Sequence, residues 1–328
     1  MISIIMPFKN ESCFLTKTID SILQQSYDNW ELIAVDDNSN DNGSAIVKEY
    51  ANTDDRIKLL INKGEGIIQA LQTGYTVAKG DFISRMDADD LMLAHKLDQL
   101  RKVLTNSGNL NVVAVGKVRY FKSDNSEIGN GFSAYEKWLN SISEQGENFK
   151  EIYKECPIPS PSWMMGKDTF DAIGAFDGEL YPEDYELAFR MYKNNIIPIA
   201  TPDVVHLWRD YPERTSRIHI HYRDNSFFEL KVGQFISIDY AYDRELILIG
   251  AGKKGKKVAK ELLHSNVSFT WLSNNSKKIG HLIYGMEIKD SESFDCTYAQ
   301  VIVAVSSPSE LEQIKKSELS STIYYYFC

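Results

Sequence analysis

The sequence predicts an α/β protein with a doubly wound, mostly parallel sheet and a second, smaller Rossmann-like α/β domain. Short apolar runs alternate with helix-like segments from the first residues onward. These runs are apolar throughout rather than at every second position, as in strands covered on both faces. A fresh strand, "ELILIG", restarts the pattern near residue 244. In order, "ISIIMPF" reads as a strand, Ser12 to Gln25 as a helix, "WELIAVDD" as a strand and Ser44 to Ala51 as a helix. "IKLLIN" is the next strand, Gly66 to Ala78 the next helix and "DFISRMD" the strand after it. Parallel neighbours require crossovers of this kind. "CPIPSPSWMMG" predicts a rigid loop entering a strand, because its prolines bar a regular helix. We place the first domain at 1–226, a linker helix at 227–243, and a module at 244–328 on the three strands "ELILIG", "VSFTWLS" and "QVIVAVS".

With 328 residues, 43% hydrophobic and 25% charged, the chain is long enough for two domains with their own cores. Cys13, Cys156, Cys296 and Cys328 show no CxxC or Cys/His spacing, which argues against a disulfide framework or a zinc site and for a reducing, cytoplasmic setting. No apolar run approaches the ~18 residues of a membrane span. "MISIIMPF" is too short and lacks the charged flank of a signal peptide, so the chain is expected to begin at or near Met1. A net charge of -10 and a pI near 5.2 argue against broad binding to nucleic acid or anionic lipid. One stretch runs the other way: "HLWRDYPERTSRIHIHYR" gathers Arg209, Arg214, Arg217 and Arg223 with His206, His219 and His221.

In such sheets ligands bind beyond the carboxyl ends of the strands. Those ends carry Pro7 to Asn10, Asp36 and Asp37, Asn62 and Lys63, and the cluster Asp87, Asp89 and Asp90 in "SRMDADDLM". Like charges this close raise one another's pKa unless something positive neutralises them. Asp89 or Asp90 could cap the helix that follows. Alternatively, Asp87 and Asp89 hold a divalent cation, Mg2+ or Mn2+, that meets the diphosphate of a nucleotide ligand. In "YPEDYELAFR", Pro182 suits a first helical turn, with Glu183 and Asp184 at the positive end of that helix.

Four segments in this order, "IIMPFKNE", "LIAVDDNSND", "SRMDADD" and "GAFDGELYPEDYELAFRM", resemble the family 2 glycosyltransferases of the GT-A fold over about two thirds of the chain. The resemblance implies a nucleotide-sugar donor, with a UDP-sugar favoured, a metal site at the DxD motif, and inversion at the anomeric carbon. It places Pro7, Phe8, Glu11 and Asp37 at the nucleoside pocket, with Asp37 meeting the base and Asp36 supporting it or ending the strand. Asp87 falls near the ribose and the metal, Asp89 becomes the principal metal ligand, and Asp90 a cap or support. Asp184 becomes the general base, which must reach the acceptor hydroxyl on the face opposite the leaving group. Arg214 and Arg217 are candidates to neutralise the diphosphate, since guanidinium groups suit phosphate oxygens. His206 is a candidate to complete the metal's coordination, and Trp163 a candidate acceptor-side residue. Leu71 and Gln72 stand where the family often has an Arg-Asn pair.

The pattern "WRDxPxRxSR" followed by "AGKKG" also resembles the subgroup that includes the queuosine-tRNA galactosyltransferase. The acceptor is therefore open between a cell-surface glycan precursor and a modified tRNA base. Gly250, Gly252 and Gly255 form a GxGxxG pattern between strand and helix, which keeps an NAD-binding oxidoreductase or a regulatory nucleotide-binding protein as alternatives. Against NAD, the next strand ends in Ser273, Asn274 and Asn275, where the fingerprint needs an acid for the ribose.

Overall fold

The computed structural model describes residues 1–214, 217 and 227–328. His219, His221 and Arg223, and the expected boundary at 226, lie outside the described residues. The chain divides into two compact units, one of residues 1–150 and 157–214, the other of 151–156 and 215–328.

The first unit opens with β1 (Ile2–Phe8), α1 (Ser12–Leu23), β2 (Trp30–Asp36), α2 (Gly43–Ala51), β3 (Ile57–Ile61), α3 (Ile67–Tyr75) and β4 (Phe82–Arg85). All seven residues of β1 and of β2 are buried, which is why these strands read as mostly apolar runs without alternation; the polar exceptions inside the sheet, Ser3 and Glu31, bond to each other at 2.6 Å. Ile2, Ile4, Met6 and Phe8 pack with Leu15, Ile19 and Val47 in one core cluster, while Ile33 and Val35 pack with Ala70 in another. Helix α3 lies close on the sheet: a Cβ at Gly74 would meet the Cγ2 of Ile5 at 2.8 Å and of Val35 at 3.0 Å.

The unit continues through β5 (Leu91–Met92), α4 (Lys96–Asn106), β6 (Val112–Phe121), α5 (Asn130–Glu144), β7 (Trp163–Gly166), α6 (Lys167–Ala172), α7 (Glu183–Lys193) and β8 (Ile197–Arg209). The sheet order is β3-β2-β1-β4-β7-β6-β8-β5. Strands β3, β2, β1 and β4 are mutually parallel, and β7 runs antiparallel to both β4 and β6. The α/β class and largely parallel sheet hold, with a mixed half added. The pattern did not reveal β6 and β8, for identifiable reasons. Strand β6 is irregular against β8 around Lys117, and β8 contains Pro198 and Pro202, residues that argue against a strand when read in isolation.

The second unit has a five-stranded, wholly parallel sheet rather than three strands. Strands β9 (Leu246–Ile249), β10 (Thr270–Ser273) and β14 (Gln300–Val303) match the expected three. The edges are β13 (Lys289–Asp290) and β15 (Ile323–Tyr326), one too short and the other too close to the chain end to signal itself; β11 (Leu282–Ile283) and β12 (Met286–Glu287) form a separate hairpin. The expected linker helix, Phe228–Ile238, belongs to this unit, where Phe235 packs edge-on against Tyr153, Tyr325 and Phe327. A Cβ at Gly255 would fall 1.9 Å from the Gly250 carbonyl oxygen, so the glycine pattern here serves close approach of helix Lys253–His264 to the preceding loop. That loop's carbonyls are also engaged, Gly250 by Trp271 Nε1 at 2.9 Å and Ala251 by Lys278 Nζ.

Candidate functional site

Parallel strands β1, β2, β3 and β4 deliver their following loops to one edge of the sheet, and hydrogen bonds bind those loops together. Asn10 accepts from the Asn40 amide at 2.7 Å and its own amide donates to Ser39 Oγ at 3.0 Å. Asp36 is used locally, accepting from the Ser39 amide at 2.8 Å and from the Ser44 hydroxyl. Asp37 faces inward: its carboxylate accepts from Asn62 Nδ2 at 2.7 Å and from the Gly66 amide at 3.0 and 3.1 Å, with the Lys9 ammonium 3.5 Å away. Gly66 holds φ at +92°, a conformation that glycine adopts without strain. Pro7 is buried within β1, and Phe8, expected at the nucleoside pocket, sits with its ring in the apolar core instead.

The loop after β4 is fixed from several sides. The Thr18 hydroxyl lies 2.8 and 2.9 Å from the carbonyl oxygens of Ala88 and Asp90. Asp90 is wholly buried and accepts from the Arg209 amide at 2.7 Å and from His206 Nε2 at 2.9 Å. Arg209 Nε donates to the Asp89 carbonyl at 2.5 Å, its guanidinium between the rings of Phe14 and Phe121. The Asp87 and Asp89 side chains are mostly covered yet keep some exposure; the first pairs with Arg85 at 3.1 Å and the second accepts from the Tyr211 hydroxyl at 3.0 Å. Burial pushes Asp89 up to about 7, with Asp90 and Asp87 adding to the shift. Glu11 rises to about 8 by burial, then by the charges of Asp89, Asp41 and Asp87. Glu11 therefore belongs with the carboxylate cluster as much as with the nucleoside end.

His206 does not fit the ligand role expected of it. It is fully buried, and both ring nitrogens are taken: Lys96 Nζ lies 2.9 Å from Nδ1 and Asp90 2.9 Å from Nε2. An ammonium only donates, so Nδ1 accepts and Nε2 carries the proton. Burial, reinforced by Lys96, holds the imidazole well below its usual pKa, and Lys96 is itself pulled down to about 7 by burial. His206→Ala is expected to cost about 3 kcal/mol, because it leaves Lys96 and Asp90 buried without their shared partner. Thermal denaturation should show the same loss in Mn2+ and in EDTA; unchanged stability with weakened Mn2+ binding would return His206 to the ligand set.

Among the described residues, no three His, Cys, Asp or Glu side chains converge as a metal centre. Two carboxylates nevertheless suit the group in question, since Mg2+-type cations bind through one or two carboxylates plus substrate phosphates and water. Arg214 adds a second observation of fit. Its guanidinium sits 5.5 Å from the rings of Tyr120 and Trp208, and its Nη1 is buried without a partner among the described residues. Arg217 is exposed.

Asp184 lies in the first turn of α7, half-buried, its Oδ1 accepting from the Tyr185 amide at 2.8 Å. Burial pushes it up to about 7, Glu183 adding to the shift and Arg85 opposing it. Helix α7 is held to the segment before it by Arg190, whose Nη1 donates to the Ile173 carbonyl at 2.8 Å while its Nε pairs at 2.9 Å with Glu186 one turn earlier in the same helix. Gln72 reaches the same loop, donating to the Phe176 carbonyl at 3.1 Å, while Leu71 is buried. Trp163, expected as an acceptor-side residue, has no open face for a sugar to stack on: it is 2% exposed and packs against Phe170 and Phe176. Sequence reasoning missed Arg85 and Tyr211, and it placed Lys9, Asn62 and Arg209 in polar segments without giving them a role. Arg85 stood two positions before Asp87, a cation beside an anionic cluster in need of one.

The family model for glycosyl transferase family 2 matches residues 3–174, more than half of the chain. The chain belongs to that family. A glycosyltransferase of Escherichia coli, the UDP-Glc:alpha-D-GlcNAc-diphosphoundecaprenol beta-1,3-glucosyltransferase WfgD, is 32% identical over 199 residues, covering 60% of this chain and 72% of its own. Among solved structures, Staphylococcus aureus TarS 1-349 in complex with UDP-GlcNAc is similar with a TM-score of 0.54 and 17% identity, over 80% of this chain and 71% of that one. The mannosyltransferase PcManGT of Pyrobaculum calidifontis, in complex with GDP-Man and Mn2+, gives 0.53 and 19%, over 80% and 69%. These structural likenesses establish the GT-A fold of this glycosyltransferase. Among the described residues, no helix is long and apolar enough to cross a membrane.

Proposed function

We propose that this glycosyltransferase takes a nucleotide-diphosphate sugar, a UDP-sugar by preference, and transfers the sugar with inversion to an acceptor hydroxyl. The observation that carries the reading is the arrangement of the loops: a pinned Asp37, two partly exposed carboxylates at Asp87 and Asp89, and on Arg214 a guanidinium N–H without a partner among the described residues. Asp37, with Asn62 and Lys9, recognises the nucleoside; Arg214 binds diphosphate oxygens. Asp87 and Asp89 are the residues to hold Mn2+ or Mg2+, which when bound offsets charge on the departing phosphate oxygen. Asp184 accepts the proton of the acceptor hydroxyl as its oxygen bonds to the anomeric carbon. The bond from that carbon to the phosphate oxygen breaks, and the nucleotide diphosphate leaves.

The E. coli relative acts on a diphosphoundecaprenol-linked sugar, which favours a glycan precursor as acceptor. Likeness to the queuosine-tRNA galactosyltransferase subgroup rests on "WRDxPxRxSR" and "AGKKG" and supports the tRNA alternative more weakly, given a net charge of -10. The glycine pattern of the second unit has a packing explanation, so nothing favours the oxidoreductase reading.

The test is thermal stabilisation by UDP, GDP, dTDP, CMP and NAD, each with Mn2+, with Mg2+ and with EDTA. A ligand that binds only the folded state raises apparent stability by mass action. Stabilisation by UDP only in the presence of metal is the expected result. Stabilisation by NAD alone would overturn the reading.

A further inference from the structure

Arg85 ends strand β4 with its side chain almost wholly enclosed, and it touches both halves of the site. Its Nη2 lies 3.1 Å from Asp87 Oδ1 and its Nη1 lies 2.8 Å from Glu183 Oε1. The Arg85 side chain is 7% exposed and that of Glu183 11%. Its Nε has no hydrogen-bond partner among the described residues, so the planar head is oriented by its ion pairs with these two carboxylates. Asp87 belongs to the donor loop and Glu183 opens the helix that carries Asp184. We propose that Arg85 is a positioning residue, a strut that sets the base-bearing helix in register with the donor aspartate.

The proposal rests on the donor and base assignments above and adds the link between them. Burying a guanidinium among carboxylates is a poor way to gain stability, because desolvation offsets much of the attraction. Its distinctive effect is geometric: the planar fork holds two oxygens at a set separation, which a point-charge ammonium does not. A base displaced by about 1 Å loses on the order of 10²-fold in rate. Asp184 is surrounded by Glu183, Arg85, the Tyr185 amide and Asp87, so changing either end of the strut also changes the charge around the base.

Three variants test this: Glu183→Gln, Arg85→Lys and Arg85→Met. The readouts are UDP binding with Mn2+ by calorimetry and the pH profile of UDP release from UDP-glucose or UDP-N-acetylglucosamine. Glu183→Gln cuts only the helix end. It is expected to bind UDP within about twofold of wild type while kcat falls by roughly 10- to 100-fold, and the acid limb of its profile should move down. Arg85→Lys keeps the charge and the fold and should lose kcat in the same way. Arg85→Met should lose both UDP affinity and kcat, with the acid limb moving up. If Glu183→Gln and Arg85→Lys both match wild type in kcat and in pH profile, the strut is overturned, whether or not Arg85→Met folds. Asp89→Ala serves as the control: if it binds UDP with Mn2+ as wild type does, the donor assignment fails, while kcat and acid limb of Glu183→Gln still decide the strut.

Discussion

Asp184→Asn is expected to reduce transfer by at least about 10³-fold while nucleotide binding stays near that of wild type. The asparagine oxygen can still accept from the Tyr185 amide, now at 2.8 Å from the carboxylate, so the first turn of α7 keeps its shape. What disappears is the ability to take a proton. Since burial, helped by Glu183, pushes Asp184 up to about 7, the ionised base is lost as pH falls through neutrality. The wild-type rate should therefore show an acid limb near that pH, and the residual rate of the Asn variant should lack it. Kinetics across pH, with UDP affinity measured alongside, checks both statements. Full activity in the Asn variant would remove Asp184 from the base role.

Asp89→Ala should weaken UDP binding by about 10- to 100-fold in Mn2+ and leave the weak binding in EDTA unchanged. The same change should not destabilise the free protein. Burial first, and then Asp90 and Asp87, raise Asp89 from an ordinary 3.8 to about 7. Between those values the folded protein retains a proton that the unfolded chain has released, so stability falls as pH rises through this window. Alanine removes that loss, so the variant in EDTA should be at least as stable as wild type at neutral pH. Calorimetric titration and thermal denaturation at pH 4 and pH 7.5 give the two readings. A large loss of stability in EDTA would mean that Asp89 holds the loop together rather than a ligand.

Much of the architecture was legible because it follows local rules. Strands β1 and β2 are buried along their whole length, so their sequences are mostly apolar rather than alternating, and crossover helices between parallel neighbours set the order. Strand β6 begins with a buried apolar run, "VVAV", but is irregular against β8 around Lys117, and β8 carries two prolines, so their full extent shows only in the pairing across the sheet. The second unit's edge strands were hidden for a related reason, being too short or too near the chain end to carry a period.

For the site, the sequence by itself determined which polar residues gather at one edge of the sheet, because residues that follow parallel strands have that one edge to occupy. Asp37, Asp87 and Asp89 were visible in this way, whereas Asp184 was marked by the helix start in "YPEDYELAFR" and by the family resemblance. Only the tertiary structure decided what each neighbour does. His206 and Trp163 looked available in one dimension, yet packing encloses one between Lys96 and Asp90 and the other among Phe170 and Phe176. Arg85 looked like a strand residue, yet it meets a carboxylate 98 positions further along the chain. Burial and hydrogen-bond partnership depend on contacts between residues distant in sequence, and no local pattern encodes them.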